Sequence, residues 1–198
     1  QGLIHILNNF DVREVWCTGV KADDDLYLFW EKSITDRNKI IKYLSSQSLP
    51  ENISGVLFQC LWPLHPPNQA HQETSYDETN DASLVMKMTY GNGRFLITGD
   101  ISAHVEALLI RSGQNLKSDL LFVPHHGSVH SSSVDFIRVV SCRFAIVSAG
   151  KNNVFRHPHP AVLDRYTSAG IEIFRTDKDG AISVYSDGKA ISVTPWLK

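Results

Sequence analysis

Leu120-Leu-Phe-Val123, followed at once by Pro124-His125-His126-Gly127-Ser128, is the stretch on which the fold turns. A short apolar run ended by a proline reads as a buried strand. The segment after it is polar and rich in chemistry. Adjacent histidines leaving such a strand are expected to point to opposite sides, so that one faces a metal while the other faces substrate or steadies a ligand. Neutral imidazole is the commonest metal ligand and carries a proton near neutral pH. The plainer alternative is one core histidine beside one exposed one.

The same arrangement, strand first and reactive residues directly after it, recurs on both sides. Upstream, Ser83–Tyr90 alternates, Gly91-Asn92-Gly93 turns, and Arg94–Thr98 returns as a hairpin that stops at Gly99-Asp100. A carboxylate there can bridge cations or simply serve the turn before the next helix. Ser102 caps that helix, with Glu106 in its early turns, and Gly113 closes it. Downstream lie a Ser-capped helix near 133–140, a strand at Phe144–Ser148, and Asn152-Asn153-Val-Phe-Arg-His157-Pro-His159-Pro160. His157 and His159 share a side if extended, and each is held extended by the following proline. His159 reads best as the N-cap of a helix over Pro160–Ala169; His157 is the functional candidate. Strands at Ile171–Arg175, Ala181–Tyr185 and Lys189–Val193 end the chain, around turns at Asp179-Gly180 and Asp187-Gly188.

The first quarter reads less sharply. A short helix around Leu3–Phe10 precedes a strand at Val12–Cys17, helical spacing extends over residues 26–44, and one strand spans Ile53–Leu61. Pro63–Thr79 is a polar loop without periodicity. Together the elements predict an α/β domain over residues 1–198 with a mixed sheet and helices on its outer faces.

Composition narrows the rest. The chain has 198 residues, 42% of them hydrophobic and 20% charged, with 19 basic and 21 acidic side chains for a formal charge of −2. Disorder and coiled coil are excluded, and so is a general electrostatic attraction for nucleic acid, which must come from a local patch. Lys151, Arg143, Arg156, Arg165 and Phe155 are candidates for such a patch, or are scattered solvated groups. Cys17, Cys60 and Cys142 lack any C-x-x-C spacing, so no disulfide framework or zinc–thiolate site is encoded. No apolar run reaches membrane-spanning length. His5, His65, His71, His104 and His130 have no partner at ligand spacing and are read as surface residues, with His130 the nearest to the His-His pair.

Taken in order, Asn80-Asp-Ala-Ser-Leu-Val85, Phe95-Leu-Ile-Thr-Gly-Asp100, Val123-Pro-His-His-Gly-Ser128, Ser148-Ala-Gly150, Asn153 with His157-Pro158, and Arg175-Thr-Asp177 with Gly180 resemble one family. It is the metallo-β-lactamase-fold domain of the ComEC/Rec2 competence DNA-uptake proteins, and the resemblance covers residues 50–186. It implies an αββα sandwich holding one or two divalent ions, zinc or manganese. It implies Asp100 and one of His125 and His126, taken as His126, as metal ligands. It leaves His125 and Ser128 for catalytic and supporting roles, and makes His157 a site-edge histidine that contacts the scissile group or a metal. It implies no small organic cofactor.

The superfamily's main ligand string, H-x-[HD]-x-D-H, is absent, while Gly2–Trp16 resembles the segment just downstream of that string. The expectation is therefore a sandwich incomplete at its N-terminal end, inactive by itself, from a parent that hydrolyses DNA phosphodiesters. The expected partners are DNA, single-stranded by preference, and the membrane-channel part of the same parent. The domain itself is expected to be soluble, and the parent to lie in the bacterial inner membrane. The alternatives are a non-catalytic DNA-binding or scaffolding module, or a metallo-hydrolase of the same fold acting on another phosphoester. Arg156, where the family commonly has glycine, adds a cation beside His157.

Overall fold

Alternation of side chains decides how the layers form. In the central strands, Leu121, Val123, Ala145 and Val147 point to one face and Leu120, Phe122, Phe144 and Ile146 to the other, so both faces must be covered. The computed structural model describes residues 2–21, 25–65 and 79–197. It holds helices α1 (Gly2–Asn9), α2 (Asp25–Thr35), α3 (Ala103–Arg111), α4 (Val134–Val140), α5 (Pro160–Ser168) and α6 (Thr176–Asp179). Its strands are β1 (Glu14–Cys17), β2 (Ile40–Tyr43), β3 (Glu51–Ile53), β4 (Val56–Trp62), β5 (Val85–Tyr90), β6 (Gly93–Ile97), β7 (Leu120–Phe122), β8 (Phe144–Val147), β9 (Glu172–Arg175), β10 (Ile182–Ser186) and β11 (Ile191–Pro195).

Strands β3 to β9 form one seven-stranded sheet in sequence order. The first half, β3 to β6, is antiparallel. The second half, β6 to β9, is parallel. Helices α3, α4 and α5 cover one face through Val105, Leu109, Phe136, Ile137, Val162 and Tyr166. The β10–β11 hairpin covers the other, laying Ile182, Val184, Ile191 and Val193 over Phe95, Leu120, Phe144 and Phe174. The result is a mixed α/β architecture of helices, a central sheet and a smaller sheet. A separate parallel ladder joins β1 to β2.

Three local expectations need correction. Residues 26–44 are not all helical: α2 stops at Thr35, and Ile40–Tyr43 is a strand, because Ile40-Ile41 satisfies a strand paired with β1 as well as it satisfies helical spacing. Ile53–Leu61 is not one strand, since Ser54-Gly55, both at positive φ, turn β3 back onto β4. Glu106 makes no capping box. Ser102 does cap α3, accepting from the His104 amide, but Glu106 is fully buried and turned to another loop. Residues 66–78 of the polar loop, with His71, lie outside the described residues. Among the described residues no helix is long and apolar enough to cross a membrane.

Candidate metal and phosphodiester site

Parallel pairing settles where the three clusters go. Because β6, β7 and β8 run the same way, the loops after Ile97, Phe122 and Val147 emerge at one edge of the sheet. Asp100, the His125-His126 pair and Ser148–His157 are therefore neighbours by topology before any side chain is considered.

Each loop is fastened. Gly99 sits at φ +56° against Ser83, whose hydroxyl accepts the Asp100 amide at 3.0 Å. Asp81 takes the Ser102 amide on its carboxylate and the Trp62 indole N–H on its carbonyl. His125 donates its amide to the Gly99 carbonyl at 3.0 Å, tying the second loop to the first. The third loop is held by Asn153, which accepts the His157 amide at 2.9 Å and donates to the His157 carbonyl at 2.7 Å. Gly127 and His159 join the second and third loops by a backbone hydrogen bond, and Pro158 packs directly on Gly127.

The histidines do not leave the strand on opposite sides. His125 and His126 both take left-handed backbone angles, φ 48° and 55°, inside a tight turn, so strand alternation no longer governs them. Their rings stand 6.4 Å apart, and His125 meets the His157 ring edge-on at 5.8 Å. His126 Nδ1 lies 2.6 Å from the Ser148 carbonyl, which can only accept, so Nδ1 carries the proton. In the neutral ring the bare Nε2 then faces the Asp100 carboxylate at 3.5 Å. With the ring neutral two acceptors face each other, an arrangement that a cation between them would satisfy. Metal bonds of about 2.1 Å meeting near the tetrahedral angle put their donor atoms roughly 3.4 Å apart, which this pair matches. The carbonyl contact on Nδ1 is the support that a ligating histidine ordinarily has.

The donor set therefore fits a divalent ion, but as part of a shell. Among the described residues no group of three or more His, Cys, Asp or Glu side chains is placed to hold one. His157 stands next in line: its Nδ1 is buried with no hydrogen-bond partner, and burial, followed by the neighbouring imidazoles of His125, His126 and His159, pushes its pKa below the ordinary histidine value. His157 is accordingly neutral at physiological pH.

The remaining candidates are placed elsewhere. Ser128 is buried, its hydroxyl taking the His130 amide, so it lies beneath the turn and not at the opening. His159 is the N-cap of α5, accepting from the Ala161 amide. Arg165 donates to the carbonyls of Ser131 and Ser132. Arg143 precedes β8, at the opposite edge, stacked 4.5 Å over Phe144; it cannot line this site. Lys151, Phe155 and Arg156 do lie on the third loop. Burial pushes the Cys60 and Cys142 thiols up to about 12, which leaves them inert as nucleophiles.

Sequence reasoning missed the supports. Glu106 accepts the amides of Ser132 and Ser133 from the far side of the second loop, and Tyr166 donates to the Ser132 hydroxyl. Ser131 returns its hydroxyl to the Pro124 carbonyl at 3.0 Å, completing a buried brace under the paired histidines. Nothing local in the sequence marks Glu106 for this role, since its partners lie 26 and 27 residues downstream.

Comparison with known proteins finds no matching family model. The chain is 40% identical over 103 residues to ComE operon protein 3 of Bacillus subtilis, covering 52% of this chain and 13% of that one. It is 39% identical over 129 residues to competence protein ComA of Neisseria gonorrhoeae, covering 65% of this chain and 18% of that one. A solved structure named for a metal-dependent hydrolase of Parabacteroides distasonis aligns with TM-score 0.48 at 14% identity, over 86% of this chain and 79% of that one. The chain thus spans less than a fifth of the curated relatives it matches.

Proposed function

The chain is homologous to a segment of the ComEC/Rec2 competence proteins, and from that premise we propose that the loop edge built from Asp100, His125, His126 and His157 binds a divalent cation and a phosphodiester of single-stranded DNA for hydrolysis. The observation that carries this reading is the Asp100–His126 pair. Its two acceptor atoms are aimed at one another at 3.5 Å, with the histidine's other nitrogen fixed by Ser148. A bound zinc or manganese ion would polarise the phosphoryl oxygen and make water acidic enough to supply hydroxide near neutral pH.

The chain's own residues would do the rest. Asp100 and His126 hold the cation. His125, half-buried in the tight turn, stands beside the pair as a hydrogen-bond donor to a phosphoryl oxygen. His157, neutral and missing one partner at Nδ1, is suited to take or give a proton at the leaving oxygen. Ser128 supports the turn from below.

Calorimetric titration of the chain with zinc and with manganese tests this. Wild type should bind weakly, since two donors fall short of the three or more that a catalytic zinc has. Asp100→Asn and His126→Gln should each lose at least about ten-fold in affinity, because each removes one of two ligands, and His130→Ala should lose none. Equal affinity in all four proteins would end the proposal.

A second reading, a DNA-binding module without chemistry, is favoured by the absence of a third grouped ligand among the described residues. Single-stranded DNA that is bound but left intact at saturating metal, in a protein whose remaining ligands are present, would decide for it.

A further inference from the structure

The third loop carries a feature that the cation site does not use. Val154 is 87% exposed and Phe155 74% exposed, two apolar side chains side by side on an otherwise polar loop. They do not dangle. Asn153, which also donates to the Gly150 carbonyl, clamps the loop from both sides of its tip, and Arg156 holds a left-handed φ of 56° to keep the turn. The Phe155 ring lies nearly parallel to the His157 imidazole, 16° between planes and 5.9 Å between centroids. The phenyl ring thus runs parallel to a site residue while most of its surface stays in solvent. Lys151 and Arg156, neither of them in a described ion pair, bracket the same loop with positive charge.

An exposed aromatic ring held beside His157 on a loop that also carries two cations suits a planar ring joined to a phosphate. We propose that Phe155 is a stacking platform for the nucleobase next to the phosphodiester that the cation site at Asp100 and His126 would bind, so that the substrate is recognised as an unpaired strand. This deepens the function proposed above and rests on it. A base within a duplex has both faces covered by its neighbours and offers none to Phe155. A flexible single strand does, and stacking is indifferent to sequence because every base has a π-face. Phe155 touches the substrate's base and takes no part in bond cleavage.

Fluorescence anisotropy with a single-stranded deoxythymidine oligonucleotide, and with an abasic oligonucleotide of equal length, tests the platform. Phe155→Ala should weaken the base-bearing strand roughly ten-fold and leave the abasic strand unchanged, while Phe155→Trp restores wild-type affinity. Phe155→Ala binding the thymidine strand as tightly as wild type overturns the platform, and so does equal loss on both strands. If the metal titration still separates Asp100→Asn from wild type, the cation site survives that result. If wild type binds neither strand, both inferences fall together.

Discussion

The parallel half of the sheet has two edges, and charged groups at each are used differently. At the edge where β6 to β9 begin, partners are matched. Arg94 grips Asp119 with Nε at 3.1 Å and Nη2 at 2.9 Å, its amide reaches the same carboxylate, and Asp119's carbonyl receives the amides of Arg143 and Phe144. At the edge where those strands end, pairing is looser and one buried ring nitrogen has no partner. His126 faces Asp100 across 3.5 Å, His157 Nδ1 has no hydrogen bond, and an aromatic ring stands in solvent. Among the described residues, five of the eight non-glycine residues at positive φ, namely His125, His126, Ser132, Asn152 and Arg156, lie in the loops of this second edge. Such angles cost on the order of 1 kcal/mol or more each and persist only where the surroundings impose them. One edge closes the fold; the other holds unsatisfied groups in place. That contrast, more than any single residue, supports placing the proposed site at this second edge.

The brace under the second loop offers the largest way to break the contrast. Glu106 is buried, and burial pushes its pKa above the ordinary carboxylate value even though the Ser133 hydroxyl and the Ser132 and Ser133 amides oppose the shift. Glu106→Ala would strand the buried Ser132 amide and the half-buried Ser133 amide and remove a negative charge that interacts with Arg165. A loss of about 3 kcal/mol or more is expected in chemical denaturation. A loss under about 1 kcal/mol would mean that the loop does not depend on this brace.

The next largest effect is expected where two loops touch. Gly127 has φ +81°, and a Cβ there would come within 2.6 Å of Pro158 Cβ and 3.1 Å of its Cα. Gly127→Ala therefore meets both a backbone penalty and a collision, and should destabilise the protein by about 2 kcal/mol. Because the collision would separate the His125–His126 turn from the His157 loop, metal affinity should fall in the same variant. A stable Gly127→Ala protein with unchanged metal affinity would show that the two loops work independently.

These supports also define what could be read from the chain. The parallel strands, their helices and the hairpin at 85–97 follow from short-range alternation and from Ser102, Ser133 and Pro160 at helix starts. The meeting of Asp100 with His126 follows from parallel pairing alone, since strands running the same way end at the same edge. The conformation of His125-His126 does not follow, because the chain leaves the strand before them and strand geometry stops applying. Glu106 is likewise illegible: its partners lie 26 and 27 residues downstream, and locally it imitates a capping residue. Ile40–Tyr43 was ambiguous in principle, as its two isoleucines satisfy both periods until β1 is there to pair with them.

The smallest effect belongs to the matched edge and sharpens the comparison by its modesty. Partial burial raises the Asp119 pKa, but the hydrogen bonds from the Arg94 side chain and amide, together with its charge, outweigh that and hold the carboxyl below its ordinary value. The folded protein therefore binds fewer protons here than the unfolded chain as pH falls past the ordinary carboxylate range. The stabilisation is fully present above that range and fades as pH drops through the lowered native value. Both side chains are about a third exposed, so solvent screens the pair, and Asp119→Asn should cost only about 1 kcal/mol at pH 7. The difference in Tm between wild type and variant should shrink as pH falls below the ordinary carboxylate range, while metal affinity at the far edge stays unchanged. A variant that lost metal affinity without losing stability would mean that the two edges are coupled through β6 and β7, and the division between a closed edge and an open one would fail.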